Sequence, residues 1–212
     1  MGSRKIAFSV LFSLIAIFEL INIYYDNELR IISKPLIMIT LGAYYYFFCK
    51  NFNAFFFTAL LMALLGDIFL MWEGNIFFVL GLSFFLIMQI LYIVVFFKDK
   101  GALSPGHWVI MTFLIVLGIL LLNYLLPKVN KPLMLPVIIY CFTIIGMVSA
   151  ALIRDRSHKN YSLILFGAIV FLISDTLLSI NMFHHSLLYG GILVMATYMT
   201  AQFLIVEGKI RE

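Results

Sequence analysis

The sequence predicts an all-α fold, a polytopic bundle of eight transmembrane helices forming a single domain over residues 1–212. Three observations predict it. Of the 212 residues 64% are hydrophobic and 11% charged, with a mean hydropathy of +1.11, which leaves too little polar surface to clothe a water-soluble globule. The apolar residues fall into stretches of roughly 18–22, the length a helix needs to cross the hydrocarbon core. Short polar or turn-forming stretches separate these runs.

The first span, approximately residues 6–25, follows Arg4 and Lys5. It contains Glu19 and lacks a small-x-small cleavage site, so it reads as a retained helix, not a signal peptide. The Met1-Gly2 start fails the myristoylation pattern because Ile6 stands where Ser or Thr is needed. Asp26-Asn27-Glu28 leads to the second span (33–48), and Lys50-Asn51-Phe52-Asn53 to the third (54–72). Glu73-Gly74-Asn75 precedes the fourth (76–97), the stretch from Lys98 to Gly106 the fifth (107–126), and Pro127 to Pro132 the sixth (132–153). Arg154 to Asn160 connects to the seventh (160–182), and His184-His185-Ser186 to the eighth (187–206). Tyr24, Tyr25, Trp72 and the run Tyr44-Tyr45-Tyr46 lie near span ends and read as interface-belt aromatics. Pro35, Pro105, Pro127 and Pro132 read as loop or helix-start residues and Pro136 as about a first-turn residue, so the broken spans of ion-coupled transporters are not signalled. His184 and His185 are adjacent and lack helical metal-ligand spacing; they read as an exposed turn, and no metal or other cofactor is expected. Cys49 and Cys141 lie at different depths, so no disulfide is expected.

Charge sets the orientation. Arg4, Lys5, Lys50, Lys98, Lys100, Arg154, Arg156, Lys159, Lys209 and Arg211 fall on one side, against Arg30, Lys34, Lys128 and Lys131 on the other. By the positive-inside rule both termini are cytoplasmic, and the expected residence is the cytoplasmic (inner) membrane of a bacterium. The net charge of +4 is accounted for by this signal and by attraction to anionic lipid, so no nucleic-acid partner is implied.

Against this apolar background two aspartates stand out, in Leu65-Gly66-Asp67-Ile68-Phe69-Leu70 and Ile173-Ser174-Asp175-Thr176-Leu177-Leu178. A carboxylate in such a span costs about 2.5–3.5 kcal/mol to insert and normally faces a bundle interior or a cavity. Ala59, Ala63 and Asp67 recur every four residues beside Gly66, and Gly167, Phe171, Asp175 and Ser179 form an equivalent stripe; small residues on one stripe mark close helix packing. Glu19, with Asn22 three residues on, adds a third acid. All three spans run outward, and the acids fall about five to seven residues from their outer ends, in one layer. Tyr140 enters at a similar level, Gln89, Tyr92 and Tyr198 lie deeper, and Tyr198 and Gln202 share a face of the eighth span. The pattern predicts a polar pocket under the outer interface, open to a lipid whose head group stays near water. A lone intramembrane acid can also be a packing residue hydrogen-bonded to Tyr, Ser or Gln, and Glu19 fits that reading as well.

The chain has no His-Glu-x-x-His helix, no Gly-x-Ser-x-Gly elbow, no Walker lysine loop and no glycine-rich dinucleotide turn, so the chemistries those motifs support find no foothold. Other residues recur in order: Lys34-Pro35-Leu36, Gly66-Asp67-x-x-Leu70-Met71, Gly81-Leu82 followed by Tyr92, Pro136 and Tyr140, Ser174-Asp175-x-Leu177-Leu178, Thr197-Tyr198 and Ala201-Gln202. This ordered set resembles the lysoplasmalogenase or YhhN-like integral membrane proteins. Gln89 stands where that family usually carries His, and Met182 where it often carries a basic residue.

The resemblance implies hydrolysis of the vinyl ether bond of a lysoplasmalogen to a fatty aldehyde and a glycerophosphoalcohol, with a lysophospholipid as substrate and membrane lipids as surroundings. Vinyl ethers resist base but open when an acid protonates the β-carbon, giving an oxocarbenium ion that water captures. A buried carboxylic acid can be that donor, and a nearby ionised carboxylate can stabilise the cation and deprotonate the water, the division of labour of glycoside hydrolysis. On this reading Asp67 and Asp175 are catalytic. Tyr140, Tyr198 and Gln202 orient water or the glycerol hydroxyl, Gln89, Tyr92 and Glu19 complete the polar lining, and Lys34 and Lys131 meet the phosphate or simply snorkel. The alternative is a non-catalytic lipid-binding or transport protein using the same cavity.

Overall fold

A computed structural model of the chain describes residues 2–157 and 160–212, with Gly2 and Ser3 described by backbone only. Eight α-helices follow one another: α1 Gly2–Tyr24, α2 Arg30–Phe48, α3 Ala54–Phe69, α4 Asn75–Lys98, α5 Pro105–Leu125, α6 Lys131–Leu152, α7 Tyr161–Phe183 and α8 Gly190–Ile210, with a single 3-10 turn at Leu126–Lys128. Among the described residues seven of these helices are long and apolar enough to cross a membrane. The exception is α3, expected over 54–72 but only 16 residues long, a rise of about 24 Å. It packs against α2 and α4 and carries Asp67 in its last turn.

Small residues let the helices approach. A Cβ built at Gly167 of α7 would lie 3.0 Å from the Ala201 carbonyl oxygen of α8, and one at Gly118 of α5 would lie 2.4 Å from Ile145 Cδ1 of α6. The predicted stripe on α3 is likewise inside: Ala59, Ala63, Gly66 and Asp67 are all buried. These seams join α3 to α4 and α7 to α8 most extensively, whereas α5 rests on α6 and touches α7 only sparsely. That sparse contact leaves the cleft which becomes the cavity below.

Two local expectations are corrected. Pro35 and Pro136 lie inside α2 and α6, each the sixth helical residue, because both helices begin earlier relative to their prolines than the hydropathy runs suggest. A proline there removes only one backbone bond near a helix start. Tyr44 and Tyr45 are not belt residues either. Both are buried: Tyr44 donates to Glu207 Oε2 at 2.6 Å, and the Tyr45 hydroxyl accepts from the Asn53 backbone N–H at 2.9 Å. Tyr46, Tyr24, Tyr25 and Trp72 are exposed, as a belt requires.

The two ends of the bundle differ in chemistry. At the end carrying both termini, the fully buried Arg154 pairs with Asp99 and with Glu212, sits over the Phe96 ring, and bridges through its backbone to Lys100. Lys209 pairs with Asp99 and Glu212, and Lys5, Tyr44, Glu207 and Arg211 line a groove beside them. Lys159, counted with this basic face, lies outside the described residues. The acid layer lies toward the opposite end.

Candidate functional site

A cavity of about 780 Å³ opens between the ends of α2, α3 and α4 remote from the termini and the facing walls of α5 to α8. That volume is within the range of small-molecule sites. Most of the wall is apolar, with Leu82, Phe85, Leu114, Leu121, Ile144 and Leu172 among the lining residues; its charged groups are Arg30, Lys34, Asp67 and Asp175, and Tyr140 and Tyr198 stand among its neutral polar groups, with Tyr124, Ser174, Thr176, Ser179 and Asn181. The rim includes Leu117 and Leu120 of α5 and Ile173 and Met182 of α7, all exposed, so the cavity opens sideways where α5 and α7 stand apart. At the end remote from the termini this gap is spanned by Tyr124, whose ring stacks on His184 at 4.0 Å between centroids. His184 in turn meets His185, with the two Nδ1 atoms 2.8 Å apart.

The seams described above bring the two aspartates to this one cavity. Asp67 is buried; its Oδ2 accepts from the Tyr198 hydroxyl at 2.7 Å, and its Oδ1 lies 3.8 Å from Lys34 Nζ. Asp175 is partly open to the cavity; its Oδ2 accepts from the Tyr140 hydroxyl at 2.6 Å and from Gln89 Nε2 at 3.5 Å. Each carboxyl thus has one tyrosine fixing one oxygen. The two differ in charge environment, since a lysine stands beside Asp67 and no Lys, Arg or His is within ion-pair distance of Asp175 among the described residues.

The other expected residues sit behind this wall. Tyr92 donates to Gln202 Oε1 at 2.8 Å, and Gln202 Nε2 contacts Met88 Sδ at 3.3 Å, so these two are occupied with each other below the cavity. Gln89 is fully buried and reaches the site only through Asp175, with its own Oε1 unpartnered. Glu19 is also fully buried; it accepts from Ser33, which is itself held by Asn22, and pairs with Arg30 at 3.5 Å. Lys131 is exposed and not part of the cavity wall. No group of three or more His, Cys, Asp or Glu residues with metal-site geometry occurs among the described residues.

Sequence reading missed Arg30 as a site residue, counting it only as a topogenic charge. Two signals pointed to it: its spacing of four from Lys34, which puts both on one helix face, and the need of the buried Glu19 for a cation.

Comparison with known proteins identifies the family. The model of a family described as the YhhN family matches residues 29–209. Similar curated proteins include lysoplasmalogenase TMEM86B of Rattus norvegicus, 27% identical over 153 residues covering 72% of this chain and 60% of that protein, and lysoplasmalogenase TMEM86A of Bos taurus, 27% identical over 155 residues covering 70% and 62%. Lysoplasmalogenase TMEM86B of Homo sapiens is 28% identical over 153 residues, covering 72% and 62%. The matched part is thus about 60% of the length of these relatives. No solved structure matches the chain.

Proposed function

We propose, from the premise that this chain belongs to the YhhN family, that it is an integral membrane hydrolase of the lysoplasmalogenase type, cleaving the vinyl ether bond of a lysophospholipid. The observation that carries this reading is the pair Asp67 and Asp175 on one largely apolar cavity, each with a tyrosine hydroxyl on a single oxygen.

The chemistry divides between them by charge. Lys34 balances an anionic Asp67, and a proton on Asp175 leaves the rest of the apolar cavity neutral, the cheaper state where charge is poorly solvated. Asp175 then delivers its proton to the β-carbon of the vinyl ether. The double-bond electrons form the new C–H bond, and an oxygen lone pair makes the oxocarbenium ion. Asp67 stabilises that cation and accepts a proton from the water that adds to its carbon. The hemiacetal so formed expels the glycerol oxygen, which takes the proton held by Asp67, while Asp175 accepts the proton of the hemiacetal hydroxyl, so the fatty aldehyde leaves with both carboxyls back in their starting states. Tyr140 and Tyr198 hold the carboxyls in position. Gln89 supports Asp175 from behind, and the Tyr92–Gln202 pair underlies the Tyr198 level. The lateral opening between α5 and α7 admits the lipid chain.

The experiment is an aldehyde-release assay of purified protein with a lysoplasmalogen, using the saturated ether lipid as control. The reading expects aldehyde from the first and none from the second. Binding of both lipids with no aldehyde from either would favour a carrier or lipid-binding protein instead.

A further inference from the structure

Arg30 and Lys34 are the two cations on the cavity wall. Spaced four residues apart at the start of α2, they share one face of the helix. Arg30 is not used up by its ion pair. Glu19 approaches its Nε side at 3.5 Å, and the guanidinium makes no other ion pair and no hydrogen bond among the described residues, while 38% of the side chain stays accessible. The terminal nitrogens of a guanidinium form a planar fork suited to two oxygens of one phosphate. Glu19, itself fixed by Ser33 and behind it Asn22, holds that fork from behind.

We propose that Arg30, with Lys34 one turn below it, is the binding site for the phosphodiester of the substrate's head group, and that Glu19 is its positioning residue. This rests on the lipid-hydrolase reading for the identity of the ligand. The order along the wall matches such a ligand: the partly accessible Arg30 at the start of α2, Lys34 next, then Asp67 at 3.8 Å from Lys34. A phosphate at Arg30 leaves the three glycerol carbons to span Lys34, puts the ether oxygen at the carboxyl level, and sends the hydrocarbon chain toward the α5–α7 opening. Specificity for a phosphate-bearing lipid over a neutral glycerol ether is then a property of α2.

The test measures binding, which needs no turnover. An uncleavable 1-O-alkyl lysophosphatidylcholine and a 1-O-alkylglycerol of the same chain length are titrated against wild type, Arg30→Gln, and the double variant Glu19→Gln/Arg30→Gln, which leaves no unpaired buried acid. The wild type should prefer the phospholipid, and both variants should lose about tenfold of its affinity, as expected for a lost hydrogen-bonded charge contact, with alkylglycerol affinity unchanged. Equal affinity of the wild type for the two lipids overturns the proposal. So does loss of both lipids together in the double variant, or undiminished phospholipid binding without Arg30. If the preference holds and follows Arg30 but no aldehyde is ever released, the phosphate site stands and the hydrolase reading fails.

Discussion

Asp67 and Asp175 are each tied by one short phenol contact, from Tyr198 and Tyr140, and this is what makes them tools more than burdens. An aspartate left free in an apolar cavity would sample several rotamers; one held at a single oxygen keeps the other in a defined place. Asp67→Asn and Asp175→Asn preserve shape but can neither donate an acidic proton nor balance a cation, so each should lower kcat by about 100-fold or more in a protein that still folds. Retention of more than about a tenth of wild-type kcat, less than about 1.4 kcal/mol of lost transition-state stabilisation, contradicts the two-carboxylate mechanism. Tyr140→Phe and Tyr198→Phe, which remove the anchor and leave the acid, should cost less than the aspartate changes. The aspartates were legible in the sequence because an acid in an apolar span is costly enough to demand a reason. Tyr92 and Gln202 were legible as inward-facing but not as each other's partner. Their spacing gives a face and a depth, while the hydrogen bond between them depends on how α4 and α8 are placed, which no local pattern encodes.

At the scale of elements, the helix seams decide where these residues meet. Gly167 permits α7 to lie against the Ala201 and Ile205 region of α8, and α8 carries Tyr198 while α7 carries Asp175. Gly167→Leu should force the two helices apart, because one of the atoms a Cβ would meet is a backbone carbonyl that cannot rotate away. The expected result is a fall of several degrees in the midpoint of thermal unfolding in detergent, roughly the effect of 1–2 kcal/mol in a chain of this size; an unchanged midpoint would mean the seam is looser than described. The small-residue stripes on α3 and α7 announced these seams in advance. Helix starts were less readable. α2 begins at Arg30 with Leu29 before it, in helical conformation and without a side-chain cap, and the turn that leads into it is held by Asn27, whose side chain accepts from the Leu29 N–H, a signal that lies ahead of the apolar run and is easily read as loop. An estimate of its start at 33 left Arg30 in a loop and hid its relation to Lys34. The tyrosines 44 and 45 misled for the same reason: near a span end an aromatic can face head groups or neighbouring helices, and here Glu207 and Asn53 supply partners inside.

At the scale of the whole molecule, polarity is divided between two ends. One end gathers the termini and the Arg154–Asp99–Glu212–Lys209 network; the other holds the cavity. If the basic end faces the cytoplasm, a cysteine placed at the exposed residue 156 in a background lacking Cys49 and Cys141 should resist an impermeant thiol reagent in intact cells and react after lysis. Labelling of intact cells would invert the topology and put the cavity in the other leaflet. The family and the eight helices could be anticipated because hydropathy and ordered motifs survive without knowledge of packing. The sideways opening could not, since it arises from how little α5 and α7 touch, and a sparse contact leaves no mark on either helix alone.

The central claim is that a carboxylic acid in this cavity protonates carbon and that water then adds to the neighbouring carbon. Isotopes in the solvent report both steps regardless of which aspartate does which. Turnover of a lysoplasmalogen in D₂O, and briefly in ¹⁸O-water with the aldehyde reduced at once to prevent exchange, should give an aldehyde carrying one deuterium on the carbon next to the carbonyl and ¹⁸O in its oxygen, with kcat lowered in D₂O. Aldehyde without that deuterium, or ¹⁸O found only in the glycerol product, would contradict it.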